Sequence, residues 1–243
     1  MITKKLFAFS LLFSVFSMTL NAQVKKPVAK KKAPVARTTV KKVVPKADNS
    51  IRVKITTDSG IIIVKLYDST PLHRDNFVKL VKEGFYDSLM FHRVIPEFMI
   101  QGGDPMSKNA PDGSMLGMGG GDMTRIPAEF KSSLIHKKGA LAAARDGNPQ
   151  KASSACQFYL VQGKKVSDAE LNMMEQSKGI KYTPAQRNAY KTMGGTPFLD
   201  MEYTVFGETE SGIEVIEKIA TVSRDGNNRP GGNIRMKMEI MTK

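Results

Sequence analysis

The chain contains one cysteine and three histidines, so it has few thiol nucleophiles and few of the side chains that usually bind zinc. In the segment around Cys156, alternation places Cys156, Phe158 and Leu160 on one face and Gln157 and Tyr159 on the other. This pattern predicts that the thiol is a buried small hydrophobic group. No two histidines have the spacing of metal ligands on a helix, so we predict no metal site.

The composition excludes several classes of protein. Hydrophobic residues make up 41% of the chain and charged residues 25%, which excludes a wholly disordered protein. A single cysteine excludes an intramolecular disulfide framework. The glycine-rich run 113–121 lacks the Gly-Lys-Ser/Thr of a phosphate-binding loop, so we predict a flexible surface loop there. The length of 243 residues is sufficient for one large domain or two small ones.

The most informative stretch is the run FHRVIPEFMIQGGD at residues 91–104. Further along the chain come GALAAAR at 139–145 with SACQFYL at 154–160, and then FLDMEYTVFG at 198–207. In sequence and in order these blocks resemble the cyclophilin-type peptidyl-prolyl cis-trans isomerases, and the resemblance covers roughly residues 51–243. It implies a mainly β fold, a closed antiparallel eight-stranded barrel capped by two helices. It also implies an enzyme that needs no cofactor and accelerates rotation about X-Pro peptide bonds.

The resemblance assigns catalysis to Arg93, the arginine of the FHR motif. Rotation about a peptide bond has a barrier of about 18–20 kcal/mol, because resonance is lost on twisting. The twisted amide has a more basic, pyramidal proline nitrogen, so a fixed donor aimed at it stabilises the transition state more than the ground state. A guanidinium is planar, permanently charged and a multiple donor. A surface salt bridge is the alternative for a lone arginine, but the position of Arg93 within the motif favours catalysis.

The resemblance also identifies the residues that would bind substrate. The proline ring would enter an apolar pocket formed by Phe98, Met99, Tyr159 and Leu199. The substrate backbone would be bound by a polar pair and a short segment, namely Gln101, Gln157, Ala144 and Arg145. The rim of the pocket would include Phe198 and Tyr203.

Some positions depart from the family pattern or from simple alternation. Arg145 replaces an asparagine of the best-known members, Phe198 replaces a tryptophan that is useful for binding cyclosporin, and Tyr203 replaces a histidine. Alternation places Met99 and Gln101 on one face of a strand. Phe98 has the opposite parity and is assigned to the pocket by the resemblance alone.

Hydrophobic patterns predict several strands and few helices. Residues 51–56 alternate, residues 58–60 form a turn and residues 61–67 return as a second strand, and residues 234–240 alternate near the end. Thr70 and Pro71 are typical of a helix start, with the helix ending at Gly84. A second helix is predicted over residues 212–220. This pattern favours a β-barrel or sandwich with packed helices.

Residues 164–196 form a segment of a different kind. Ser167 with Glu170, and Thr183 with Gln186, are two capping boxes, so we predict a helical hairpin inserted between strands. No residue in this segment is of a catalytic type, which indicates a packing element.

The first 50 residues divide into two predicted segments. Lys4 and Lys5 precede an uncharged, mostly apolar run at 6–20 and small residues at 20–22, which predicts a signal peptide over residues 1–22. A membrane anchor is the alternative, but the run is short for a span. Residues 23–50 are rich in Lys, Ala, Val and Pro, so we predict a disordered linker. Residues 51–243 are the predicted isomerase domain.

Three functional hypotheses follow. The first is an exported, periplasmic or secreted, monomeric isomerase that acts on proline-containing polypeptide clients. The second is a binding module, a chaperone for proline segments with little turnover, although the complete set of motif residues argues against it. The third is an anionic-surface protein that depends on its basic tail. Residues 51–243 carry 26 of the 37 Lys/Arg and 22 of the 23 Asp/Glu. We therefore expect only weak anionic-surface contact, through the tail, and no binding of nucleic acid.

Overall fold

Among the described residues, eight antiparallel β-strands form one curled sheet, accompanied by four α-helices and two short 3-10 helices. The structure is a computed structural model that describes residues 50–242, so the predicted signal peptide and all but Ser50 of the predicted linker lie outside the described residues. The strands are Arg52–Thr57 (β1), Gly60–Leu66 (β2), Phe91–Ile95 (β3), Met99–Gly102 (β4), Ala140–Ala143 (β5), Phe158–Val161 (β6), Val205–Ser211 (β7) and Met236–Ile240 (β8). The helices are Pro71–Lys82 (α1), Asp168–Lys178 (α2), Pro184–Thr192 (α3) and Ile213–Ala220 (α4). Within residues 50–242, no helix is both long and apolar enough to cross a membrane.

The sheet has the strand order β3-β4-β6-β5-β7-β2-β1-β8. Its two end strands are not paired along their length. They approach through one isolated bridge between Met90 and Arg235, and the backbone N–H of Phe91 donates to the carbonyl of Ile234 at 3.0 Å. The mainly β, eight-stranded antiparallel prediction is therefore confirmed. At the closing edge there are also backbone hydrogen bonds from Met236 to the carbonyl of Leu89 at 2.8 Å and from Ser88 to the carbonyl of Met236 at 2.9 Å, but no continuous ladder.

The main hydrophobic core lies between the inner face of the sheet and helices α1 and α4. Ile100, Leu141, Phe158 and Leu160 point into it from neighbouring strands. Helix α1 contributes Phe77, Leu80 and Val81, and α4 contributes Val215, Ile216 and Ile219. Because side chains alternate along a strand, the residues between these core positions must face outward.

The single cysteine belongs to the same core. Cys156 is buried and free, as its alternation with Phe158 and Leu160 predicts. Burial raises the pKa of its thiol. Gly120 lies directly over the sulfur, because a Cβ added to this glycine would overlap the Sγ atom.

Helix α1 begins at Pro71 as predicted, but Thr70 does not cap it with its side chain. The carboxylate of Glu129, 57 residues away from Leu72, accepts hydrogen bonds from the backbone N–H groups of Leu72 at 3.1 Å and His73 at 3.0 Å. A carboxylate at a helix N-terminus satisfies orphan donors and opposes the positive end of the helix dipole. The cap is therefore tertiary, which a local sequence pattern cannot reveal.

Two helices occupy the segment 164–196. Both capping boxes are present, with the Ser167 hydroxyl accepting from the N–H of Glu170 and the Thr183 hydroxyl accepting from the N–H of Gln186. These helices cover a small separate core of Ile135, Val166, Leu171, Tyr182 and Tyr190. The segment thus packs on the outside of the sheet, next to the loop that leads into β5.

Gly103, immediately after β4, permits a close approach of two backbones. Its φ is +92°, and a Cβ built there would overlap the carbonyl oxygen of Cys156 and lie 3.0 Å from the Cα of Gln157. Only glycine is compatible with both the dihedral angle and this contact. Gly103 therefore sets the distance between the strand that bears Gln101 and the segment that bears Gln157.

We expect Gly103→Ala to lower the free energy of unfolding by about 2–4 kcal/mol, since positive φ and overlap with backbone both oppose the new methyl group. Gly113→Ala is the matched control, because Gly113 also has positive φ, +73°, but no atom lies within 4 Å of its added Cβ. The control should lose only about 1 kcal/mol. Urea denaturation measures both values, and equal losses would contradict the role of the close contact.

Candidate active site

A row of paired residues crosses the outer face of four neighbouring strands. Arg93 on β3 pairs with Gln101 on β4, Gln101 pairs with Tyr159 on β6, and Tyr159 pairs with Ala142 on β5. Residues paired across antiparallel strands have Cβ atoms about 4.5–5.5 Å apart and point to the same face. The register of the sheet therefore brings together residues that are up to 66 positions apart in sequence.

Two amide side chains, those of Gln101 and Gln157, form a relay that holds Arg93. Arg93 Nη1 donates to Gln101 Oε1 at 3.1 Å, and Gln101 Nε2 donates to Gln157 Oε1 at 3.0 Å. Gln157 Nε2 donates to the carbonyl oxygens of Gly117 and Gly119, both at 3.0 Å. Each amide is oriented by the next, so the orientation of the guanidinium depends on the backbone of the glycine-rich loop.

Most of the donors on Arg93 are left open. A guanidinium carries five N–H groups, and the hydrogen bond to Gln101 uses one of them. Within residues 50–242, Arg93 forms no ion pair with a carboxylate, so the surface salt bridge considered above is not found. The side chain is half-buried, its Cζ lies 5.9 Å from the centroid of the Phe98 ring, and burial lowers the pKa of the guanidinium. Arginine still remains protonated at any physiological pH, so the site holds an uncompensated positive charge.

The predicted proline-pocket residues form one apolar cluster beside Arg93. Met99, Tyr159 and Leu199 are buried members of this cluster, and Phe98 and Tyr203 pack against it. Phe198 lies at the rim, half exposed, with its ring centroid 5.6 Å from that of Phe98. The structure therefore brings together the apolar side chains that the resemblance assigns to the pocket.

Phe98 reaches the same side as Met99 because it is not part of the strand. Its backbone N–H donates to the carbonyl of Ile95 at 3.1 Å, which closes a turn between β3 and β4. Strand β4 begins only at Met99. The alternation rule fails for Phe98 because the rule applies only within a strand.

Ala144 and Arg145 differ in the hydrogen bonds that their backbones make. The N–H of Ala144 donates to Gln157 and its carbonyl accepts from Ser154, so both groups are used within the protein. Among the described residues, Arg145 has no backbone hydrogen-bond partner for its N–H or its carbonyl. Of the predicted backbone-binding segment, Arg145 is therefore the residue with groups available to a peptide.

Two of the departures from the family pattern contact each other. The guanidinium of Arg145 lies over the ring of Tyr203, 4.6 Å from its centroid, in a cation–π geometry. Arg145 Nε also donates to the carbonyl of Glu202 at 3.0 Å. The arginine side chain is thus directed along the rim of the site, where it forms part of the wall.

Sequence reasoning missed two contributors to the site. The predicted surface loop at 113–121 supplies the carbonyls that hold Gln157. His136 Nε2 forms a hydrogen bond of 3.0 Å with the hydroxyl of Tyr159. A run of glycines interrupted by methionines is a weak signal for the first, because backbone carbonyls have no sequence signature. His136 precedes the GALAAAR block by three positions, but no pattern connects it to Tyr159.

Comparisons with known proteins agree with this geometry. Residues 52–240 match the family model for cyclophilin type peptidyl-prolyl cis-trans isomerases. A Staphylococcus epidermidis relative named for peptidyl-prolyl cis-trans isomerase activity is 36% identical over 186 residues, which cover 75% of this chain and 87% of the relative. A Streptococcus pyogenes relative, named as a bifunctional phosphatase and peptidyl-prolyl cis-trans isomerase, is 38% identical over 184 residues. That match covers 74% of this chain but only 36% of the longer relative.

The fold has a counterpart among solved structures. The crystal structure of a Cryptosporidium parvum cyclophilin type peptidyl-prolyl cis-trans isomerase matches with a TM-score of 0.58 and 23% sequence identity. The match covers 80% of this chain and 99% of the other. With its family model spanning the whole sheet, and its signature residues gathered at one site, the chain belongs to the cyclophilin-type peptidyl-prolyl cis-trans isomerases, a family of enzymes.

Proposed function

We propose that this cyclophilin-type isomerase accelerates rotation about X-Pro bonds by stabilising the twisted amide with Arg93. The observation that supports this most strongly is a guanidinium with open donors, held by Gln101, beside a cluster of apolar side chains. The proline ring would contact Met99, Tyr159 and Leu199, which hold one side of the bond. The open backbone groups of Arg145 would bind the peptide on the other side.

The catalytic advantage comes from preorganisation. As the amide twists, its nitrogen loses conjugation and becomes a better hydrogen-bond acceptor, so a donor already in place gains strength only in the transition state. The relay through Gln101 and Gln157 keeps Arg93 in one orientation before substrate arrives. No bond is broken, so the reaction requires neither a nucleophile nor a proton carrier.

Arg93→Ala should lower kcat/KM by roughly 10²–10³-fold, the range for loss of one preorganised charge-stabilising donor. Arg93→Lys should restore only part of the activity, because an ammonium lacks the planar fork. A protease-coupled assay on a short X-Pro peptide measures both variants.

Arg74→Ala on helix α1 is the matched control, because Arg74 pairs with Asp68 and Asp75 on the surface and lies outside the site. It should retain wild-type turnover. Near-wild-type turnover in Arg93→Ala would refute the mechanism and favour the alternative, a binding module for proline segments with little turnover.

His92, next to Arg93, is the residue that an acid–base mechanism would use. It is buried, and neither ring nitrogen has a hydrogen-bond partner within the described residues. Burial, with a smaller contribution from Arg93, lowers its pKa from 6.5 to about 4, although the Asp104 charge acts in the opposite direction. The imidazole is therefore neutral at the pH values at which the enzyme would work.

The lowered pKa of His92 predicts that stability depends on pH below about 6.5, whereas activity near neutral pH does not. Turnover should be almost flat from about pH 6 to 9, since Arg93 stays charged and His92 stays neutral. The unfolded chain takes up the His92 proton at a higher pH than the folded protein. The free energy of unfolding should therefore be fully retained above about pH 6.5 and decrease as the pH falls toward 4, with His92 contributing up to ~3 kcal/mol.

Urea titrations of the wild type and His92→Phe at several pH values test this prediction. The variant should lose less stability than the wild type between pH 6.5 and 4, although His73, whose pKa burial also lowers, will leave part of the slope. Equal slopes, or a bell-shaped activity profile centred near neutrality, would contradict the assignment of His92 as a neutral structural residue.

We also propose that the clients are exported polypeptides and that the protein folds them outside the cytoplasm, in a periplasm or after secretion. The support is the sequence of residues 1–22, with its charged start, apolar run and small residues before Gln23. The basic tail at 23–50 would then act as a spacer with weak affinity for anionic surfaces.

The mature chain should begin at Gln23, since cleavage follows the small-residue site. N-terminal sequencing of the protein recovered from the exported fraction measures this directly. A chain that begins at Met1 in the envelope fraction would contradict cleavage and favour a membrane anchor.

A further inference from the structure

The carboxyl group of Asp200, one residue beyond Leu199 of the pocket, is buried among four donors. Its Oδ1 accepts from the backbone N–H of His136 at 2.8 Å and lies 2.8 Å from His136 Nδ1. Its Oδ2 accepts from the hydroxyls of Tyr182 at 2.8 Å and Tyr190 at 2.5 Å. A buried carboxylate is tolerated only when such donors replace water. Asp200 therefore links two parts of the protein that otherwise have separate cores.

On the pocket side, Asp200 orients His136. The carboxylate can only accept, so Nδ1 carries a proton, and in the neutral ring Nε2 is then an acceptor. Nε2 lies 3.0 Å from the hydroxyl of Tyr159, which can then donate to it. The two rings are also stacked, with centroids 6.1 Å apart and planes inclined by 12°. Through His136, Asp200 thus sets both the hydroxyl position and the ring plane of Tyr159.

On the other side, Asp200 is held by the inserted helices. Tyr182 precedes α3 and Tyr190 lies within it, and both rings are buried in the small core that the inserted helices cover. Lys178, the last residue of α2, donates from Nζ to the backbone carbonyl of Asp200 at 3.1 Å. The insert therefore supplies hydrogen bonds to both the side chain and the backbone of Asp200.

We propose that Tyr182, Tyr190 and Asp200 are positioning residues for the prolyl pocket, and that the inserted helices brace the pocket from behind. This inference rests on the proposed function, because it takes Tyr159 and Leu199 as walls of that pocket. Both insert tyrosines belong to the separate core of the insert and not to the apolar cluster beside Arg93. They act through Asp200 and His136, and loss of their hydroxyls would allow two adjacent walls, Tyr159 and Leu199, to shift together.

The test is a double-mutant cycle between the insert and the pocket. The insert variant is Tyr182→Phe/Tyr190→Phe, which removes two hydroxyls and keeps the rings, and the pocket variant is Tyr159→Phe. We expect either change to raise KM for an X-Pro peptide about 3- to 10-fold with little change in kcat, the size of one coupled hydrogen-bond network. The combined variant should show no further rise in KM, because Tyr159→Phe already removes the hydroxyl through which Asp200 and His136 act on the pocket.

Tyr86→Phe is the matched control. Tyr86 is another buried tyrosine, and its hydroxyl donates to the carbonyl of Cys156 in the main core. It should lower Tm without raising KM. A merely structural insert would behave in the same way, so an insert variant with lower Tm but unchanged KM overturns the proposal, as does a rise in KM that is simply additive with that of Tyr159→Phe.

Peptide binding, measured by calorimetry on every variant, keeps this inference separate from the catalytic one. An unchanged Kd in the insert variant overturns the bracing role even where Arg93→Ala abolishes turnover. If the insert variant raises Kd in the wild-type background but causes no further increase in the Tyr159→Phe background, bracing is supported. This holds even where Arg93→Ala retains turnover, and in that case only the arginine mechanism fails.

Discussion

Each strand of the site contributes side chains to both faces of the sheet, because side chains alternate along an extended backbone. Burial of Ile100 in the main core forces Met99 and Gln101 outward, and burial of Phe158 and Leu160 does the same to Tyr159. The hydrophobic effect that folds the inner face therefore also builds the outer one. A shift of one residue in register would exchange the two sets and remove the site together with the core.

The outer face then depends on how one positive charge is held. Arg93 has no carboxylate beside it among residues 50–242; neutral amides hold it instead. A neutral amide leaves the positive charge of Arg93 uncompensated, whereas a carboxylate partner would neutralise it within the protein. The relay ends on carbonyl oxygens of the glycine-rich loop, so the orientation of Arg93 depends on the backbone of that loop. Close approach at Gly103 keeps the two amide-bearing segments near enough for that relay to form.

Whether a structural feature can be predicted from the sequence depends on how far apart in the chain the interacting residues lie. Local patterns are sufficient for the β1–β2 hairpin, for helix α4 and for both capping boxes of the insert, because each of these is determined by residues a few positions apart. The signature run identifies Arg93 and Gln101 as candidates, and register brings them together. The cap of α1 by Glu129, the use of loop carbonyls by Gln157 and the link from the insert to Tyr159 all join distant segments. Phe98 shows a further limit, since alternation has no meaning in the turn that precedes β4.

The buried position of Cys156 determines when two copies of the protein can form a disulfide bond with each other. Thiol–disulfide exchange requires an accessible thiolate. Here the sulfur lies in the main core with Gly120 directly above it, and burial raises the pKa of the thiol. The chain has no second cysteine, so any disulfide would have to be intermolecular. Such a bond could form only after the glycine-rich loop had moved away from the sulfur, and the same movement would release Gln157. Covalent dimers should therefore accumulate only from molecules in which Arg93 has already lost the support of Gln157.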